Sequence, residues 1–215
     1  IVAAPSSASR AAANAAPQTP IVQANGDPLA TGLVTSLARP GGTITGLSNI
    51  NVDLSEKLLE LLLAAAPKLR RVGFLANPTT VQYGAAVRAA QRSIERHRVE
   101  GRFADAARPE DIEPAISRLA KEGIQALVLL PSAWLGAERQ RVVRLVRAHR
   151  WPLAAGQREW AEAGALLTYG ADRTALYRRS AYYVDRILKG AKPGDLPIEQ
   201  PTKFELVVNA KTAKA

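Results

Sequence analysis

The sequence predicts an α/β fold built mainly on parallel sheets, and three observations carry that prediction. Short apolar runs such as "PIVQA", "RRVGFLANP" and "IQALVLLPS" alternate with amphipathic stretches of about ten to fifteen residues, the signature of strand–helix–strand units. Nearly every apolar run ends in Asn, Gly, Pro or Ser, the residues that turn a chain from strand into helix. Residues 71–168 supply a near-complete series of such units, whereas residues 1–47 supply only two strands and two helices before "GTITGLS". The first portion reads as the remainder of a second lobe.

Each element has a local reason. "IVAA" closes a strand, and "PSSASRAAANAA" follows as an Ala-rich helix that Ser6 or Ser7 is placed to cap. After the strand "PIVQA", "DPLATGLVTSLA" predicts a helix with Asp27 at its N-cap and Pro28 at its first position, a favoured pairing. The turn Pro40-Gly41-Gly42 then leads into "GTITGLS", a third extended piece. From Asp53 the pattern is cleaner: the helix "DLSEKLLELLLAAAP" closed by Pro67, the strand "RRVGFLANP", the helix "GAAVRAAQRSIERH" and the strand "GRFADA". The helix "RPEDIEPAISRLAKEG" ends at Gly123, and the buried strand "IQALVLLPS" precedes the helix "AERQRVVRLVRAHR". Strands in "WPLAAGQ" and "ALLTYGAD", a long helix ended by Gly190 and a last short strand in "FELVVN" complete the reading.

Composition narrows the function classes. With 215 residues, 47% hydrophobic and 22% charged, the chain is of ordinary globular make-up and long enough for one large domain or two small lobes. Its longest apolar runs, "ALVLLP" and "LLELLLAAAP", fall short of the roughly 18 to 20 residues a membrane-spanning helix needs. A net charge of +10 raises nucleic acid as a partner. The arginines, however, come singly or in pairs (Arg70-Arg71, Arg96 and Arg98, Arg178-Arg179) on amphipathic helices, with no long basic run and no aromatic RNA-binding motif. They read as a solvated surface, and no nucleic-acid partner is expected. With no cysteine, disulfides, thiolate metal sites and Cys nucleophiles are excluded. The absence of Met in a chain starting at Ile1 gives the expectation that an upstream segment, compatible with a signal peptide, has been removed.

In open parallel sheets ligands bind beyond the carboxyl ends of the strands, where loops enter helix N-termini. Those positions are Pro5-Ser6-Ser7, Asn25-Gly26-Asp27-Pro28, Asn77-Pro78-Thr79-Thr80, Pro131-Ser132, Gly156-Gln157-Arg158-Glu159 and Tyr169-Gly170. The free N–H groups and positive dipole end at such sites suit a carboxylate or another small anion. Each has a plainer explanation beside the functional one. Asp27, Ser6 and Ser7 serve equally as helix caps, Tyr169 as an exposed strand-end aromatic, and Trp134 and Trp160 as core or rim packing.

Enzyme signatures are absent: there is no G-x-S-x-G, P-loop, G-x-G-x-x-G or H-E-x-x-H. His97 and His149 end Arg-rich helices, the place of a solvated C-terminal cation, and belong to no metal-spaced pair. Glu110, Asp111 and Glu113 gather at a helix start, where the dipole favours acids without any catalysis. No catalytic residue, metal or cofactor is expected.

"GDPLATGLVTSLARPGGTITGLS", "LSEKLLELLLAAAPKLRRVGFLANP" and "YGADRTALYRRSAYYVDRILKGAKPGDLPIEQPTKFELVVNAKTAKA" together resemble the ABC-transporter substrate-binding proteins that include tryptophan-binding members in bacteria. The resemblance runs from residue 1 to residue 215 and is closest at both ends. It implies a type I periplasmic-binding-protein architecture: two Rossmann-like lobes with parallel sheets, joined by crossover strands and closing on a small molecule. The implied first lobe is residues 1–47 and 170–192, the second 48–169, and 193–215 a C-terminal crossover and last strand. Members of the family carry a signal sequence and roughly two more βα units before the equivalent of "IVAA", so the first lobe is expected to be incomplete.

The resemblance further implies an exported, periplasmic, non-enzymatic protein that hands its ligand to an ABC permease, with a lipid anchor as an option in the full-length protein. It implies ligand contacts at Ser6, Ser7, Gly26, Asp27, Asn77, Ser132, Gln157 and Tyr169. Backbone amides near Ser6 and Ser7, with Asn77 and Ser132, would receive a carboxylate, and Asp27 or Glu159 an ammonium. Tyr169, Trp134 or Trp160 would floor an aromatic side chain. A ligand-sensing or regulatory domain of the same fold, without transport, is the alternative.

Overall fold

The structure is a computed structural model that describes residues 1–214, and the side chains of all of these except Asn51 and Asp53. Ala215, the end of the C-terminal segment expected over 193–215, lies outside the described residues. The chain forms two compact units, Ile1–Asn51 with Ala171–Phe204 and Val52–Gly170 with Glu205–Ala215.

In chain order the first unit opens with β1 (Val2–Ala3), α1 (Ser6–Ala15), β2 (Ile21–Gln23) and β3 (Ile44–Gly46). The second follows with α2 (Asn51–Ala65), β4 (Arg71–Ala76), α3 (Tyr83–His97), β5 (Glu100–Asp105) and α4 (Ile112–Lys121). It continues through β6 (Ala126–Leu129), α5 (Ala133–Ala137), α6 (Arg139–Ala148), β7 (Leu153–Ala155), α7 (Arg158–Ala163) and β8 (Leu167–Ala171). Then come α8 (Arg173–Leu188), β9 (Phe204–Val208) and α9 (Ala210–Ala213).

The first unit is a three-stranded sheet, β1-β2-β3, parallel throughout, with Val22 opposite both Val2 and Thr45. Period-two alternation sends its side chains to two different cores. Ile21 packs with Ala3, Val34, Ile44 and Ile198 and against Ala8 and Ala12 of α1. Val22 points the other way, to Leu47 and to Leu176 and Tyr183 of α8. A short polar brace completes this side. Arg179 of α8 holds Glu199 through Nε and Nη2 at 2.9 and 2.7 Å, and the Tyr183 hydroxyl donates to the Pro197 carbonyl at 2.8 Å. The Glu199 backbone in turn bridges Leu47, donating to the Gly46 carbonyl and accepting from Ser48 N–H.

The second unit is built on a six-stranded sheet in the order β5-β4-β6-β7-β8-β9, with every pair from β5 to β8 parallel. Its central strands are apolar on both faces, as parallel strands between helix layers must be. Leu75, Leu127, Leu129 and Leu153 meet Ile116, Leu119, Val142, Val146 and Trp160 from α4, α6 and α7. Val72, Phe74, Val128 and Ala154 meet Leu58, Leu59 and Leu62 of α2 and Ala86 and Ala90 of α3. At the exits of β7 and β8 the backbones approach so closely that a Cβ on Gly170 would lie 1.8 Å from the Gly156 carbonyl oxygen.

The parallel α/β architecture is thus the predicted one, and the local differences have local causes. The helix expected over "DPLATGLVTSLA" does not form. Asp27 caps a single turn, in which Thr31 N–H reaches the Asp27 carbonyl, and the turn stops at Gly32, whose φ of +66 lies outside the helical range. Leu33 and Val34 both direct their N–H groups back to the Pro28 carbonyl, leaving a compact irregular loop. The short helices α5, α7 and α9 carry too few residues for a visible apolar period.

Gly170→Ala is expected to destabilise the second unit by about 3 kcal/mol, because the new methyl meets backbone that has nowhere to move; differential scanning calorimetry measures it. The Glu199 carboxyl is held below its ordinary value, chiefly by its hydrogen bonds from Arg179. The stability it adds is therefore fully present above the unfolded value of about 4.3 and is lost as pH falls through the lowered folded value. Glu199→Gln should cost under about 1 kcal/mol near neutrality, since the pair is largely exposed, and the difference from the parent chain should vanish in acid, as pH-dependent thermal unfolding will show.

Candidate functional site

In the first unit the polar groups gather where β1 and β2 end. Ser6 is the first residue of α1 and is buried, while Pro5, at the N-cap, has no hydroxyl or carboxyl to offer. The expected capping of α1 by Ser6 or Ser7 is not found. Instead the Ser6 Oγ accepts the Asp27 N–H at 2.9 Å across 21 residues, pinning the loop after β2 onto the start of α1. Ser7, one residue on, is exposed.

Asp27 is itself buried, and its Oδ1 accepts the Ala30 N–H at 3.0 Å while its carbonyl accepts the Thr31 hydroxyl at 2.7 Å. Gly26 beside it accepts the Asn49 N–H at 2.7 Å, and Asn49 Nδ2 donates to Asn25 Oδ1 at 2.8 Å. The Gly26 position has no room for a side chain: a Cβ there would lie 2.3 Å from Ser6 Oγ and 2.8 Å from Gln23 Nε2. Gln23 and Asn49 were not among the expected site positions, and Asn25 was placed at a strand exit but not among the ligand contacts. Gln23 was legible as the polar member of "PIVQA", whereas nothing in "GLSNIN" singles out Asn49.

In the second unit the exits of β4 and β6 come together. Asn77 is 3% exposed; its Oδ1 accepts both the N–H and the hydroxyl of Thr79, at 3.0 and 2.9 Å, while Nδ2 donates to Ser132 Oγ at 3.4 Å. Ser132 caps α5 by accepting the Leu135 N–H. Gln157 stands at the N-cap of α7 without capping it, and its Oε1 turns to Gly136 of α5, 3.8 Å from where a Cβ would be. Asn77 and Ser132 thus meet at the start of α5, and Gln157 lies near Gly136 of the same helix.

Tyr169 lies in β8 and packs, half-buried, against the core that holds Leu167 and Phe74. Trp160 is a core residue, 5% exposed, so it is not a cleft-lining aromatic. Trp134 is half-buried against the same core, and Glu159 lies in the first turn of α7. A further polar pair, Tyr83 donating to Asp105 Oδ2 at 3.0 Å, stands where β5 ends; burial, then Asp105, raises the phenol above its ordinary value.

Both clusters are rich in hydrogen-bond donors and acceptors fixed by backbone contacts, the equipment for holding a small polar molecule. Among the described residues no group of three His, Cys, Asp or Glu side chains is gathered as a metal would require, and no helix is long and apolar enough to cross a membrane.

The family of ABC transporter substrate binding proteins matches residues 1–215. The chain belongs to this family. A curated relative, the tyrosine-binding protein of Clostridioides difficile (strain R20291), is 27% identical over 208 residues, which is 96% of this chain and 59% of the relative. The chain thus spans about three fifths of that relative's length. Among solved structures, an ABC domain in complex with L-Trp from Streptococcus pneumonia superposes with a TM-score of 0.87 at 22% identity, covering 96% of this chain and 71% of that one. A conserved domain protein from Vibrio cholerae gives 0.87 at 25% identity over 94% of this chain and 68% of that one. A ligand-free, open substrate-binding protein with adhesive properties from Clostridium difficile gives 0.70 at 26% identity, over 96% and 70%. These likenesses confirm the type I periplasmic-binding-protein fold.

Asp27→Ala should release the Ala30 N–H and destabilise the first unit by about 1 kcal/mol, and Asp27→Ser, which restores a capping oxygen, should recover most of it. Chemical denaturation of the two variants beside the parent chain measures the difference.

Proposed function

We propose that this chain is the solute-binding component of an ABC importer, exported to the periplasm, that captures an amino acid or a related aromatic carboxylate and presents it to a membrane permease. The observation that carries this reading is the family match over the whole chain, joined to a curated relative that is named for binding tyrosine. The two polar clusters support it: each stands at strand exits, where this fold class takes its ligands. No reaction is assigned, and the chain acts by binding.

In this proposal the N-terminus of α1 at Ser6 and Ser7 receives a ligand carboxylate in the first unit, and Asn77 and Ser132 offer the polar side chains for one in the second. Asp27 or Glu159 meets the ammonium, and Gly26 lets backbone approach because it has no Cβ. Gln157 reads a further polar group, and Tyr169 with Trp134 offers the apolar surface for a ring.

A thermal-shift screen against L-tyrosine, L-tryptophan, other amino acids and aromatic acids, with sugars and nucleotides as controls, tests the reading. Ligand at 100 times its dissociation constant should add about 2.7 kcal/mol of stability. Asn77→Ala should weaken that ligand about tenfold, or roughly 1.4 kcal/mol, by isothermal titration. Shifts with sugars or nucleotides alone would overturn the amino-acid reading.

A further inference from the structure

Gln23, the last residue of β2, is 0% exposed, and neither its Oε1 nor its Nε2 finds a hydrogen-bond partner in the protein. A primary amide sealed in this way is destabilising, whereas an apolar side chain of the same shape would suit the strand better. Ser9 Oγ, one turn beyond Ser6 on the buried face of α1, is also fully buried and without a protein partner. Two orphaned polar side chains therefore lie between α1 and its sheet.

The surroundings say what the amide faces. A Cβ placed on Gly26 would lie 2.3 Å from Ser6 Oγ, 2.8 Å from Gln23 Nε2 and 2.9 Å from the Ser6 nitrogen. A side-chain amide, a hydroxyl and a helix N–H thus crowd together against one glycine. Ser6 begins a ten-residue helix, so its N–H belongs to the first turn, which has no intrahelical acceptor, and it lies at the positive end of the dipole. Convergent donors at such an end suit an oxygen that carries negative charge.

We propose that Gln23 is a specificity-determining residue of the candidate site, its Nε2 donating beside the Ser6 N–H to the carboxylate of an amino-acid ligand that enters at the Gly26 loop. This inference rests on the amino-acid-binding reading above. The amide lies under the Gly26 loop, so the contact forms as that loop yields to the ligand. Gln23 accordingly reads the acid function, not the side chain, of what is bound.

Calorimetric titration of the 215-residue chain with L-tyrosine, L-tryptophan and their carboxamides tests it, beside Gln23→Met, which keeps the length and removes the donor. The parent chain should prefer acid to carboxamide. In Gln23→Met acid affinity should fall about tenfold with carboxamide affinity unchanged, so the preference collapses, an effect that a merely structural role would not produce. Gln23→Asn, which withdraws the same amide by one methylene, gives the same readout should the Met variant not fold. A parent chain that binds the amino acids, with an unchanged acid-to-carboxamide ratio in the variants, overturns the role of Gln23 alone. A parent chain that binds neither amino acid overturns the amino-acid reading and this inference together.

Discussion

Parallel strands flanked by helices on both faces are buried over their whole length, and this constraint organises the molecule. β4 and β6 alternate between the Leu75 and Leu127 face and the Phe74 and Val128 face, and both faces are sealed by helices. Polar side chains are consequently driven to the strand ends. Asn77, Ser132 and Gln157 stand just past β4, β6 and β7, and Ser6 and Asp27 just past β1 and β2. The same rule that builds the cores thus gathers the polar residues where a ligand can be met.

Backbone approach, more than side-chain chemistry, shapes those ends. A Cβ on Gly170 would collide with the Gly156 carbonyl, and a Cβ on Gly26 with the Ser6 hydroxyl. At Gly26 the closeness is functional in the proposed site, because it brings the α1 N-terminus, the Ser6 hydroxyl and the Gln23 amide to one point. The bond from Asp27 N–H to Ser6 Oγ holds that point together, and it is paired with a turn that Asp27 caps for itself. One residue therefore both fixes its own loop and ties it to a neighbouring helix.

The charge surplus has a modest part in this. Arg71 and Arg102 share Glu100, Arg92 and Arg96 share Glu56, and Arg158 meets Glu162 and Glu205, all with largely exposed cations. Such pairs contribute little each in water and are screened by salt. The Arg179 and Glu199 pair differs in its position, since Glu199 also continues the β3 ladder through its backbone. Its value lies in holding the segment before β9 against α8, not in its charge alone.

By itself the sequence determined the alternation of elements, because burial on two faces writes apolar runs and amphipathic periods into the chain, and turn residues mark where they end. It also placed Ser6, Gly26, Asp27, Asn77 and Ser132 at strand exits, since topology puts every β-to-α loop on the same sheet edge. Only the tertiary structure decided the rest. That Ser6 serves Asp27 instead of its own helix depends on a contact across 21 residues, which no local pattern encodes. That "DPLATGLVTSLA" stops after one turn was decided by Gly32 and by packing of Val34 against Ile21 and Ile44, which outweighed a good cap and a fair helix propensity. The meeting of Asn77 with Ser132 and of Trp160 with the core likewise follows from which strands become neighbours, a property of the sheet and not of any one segment.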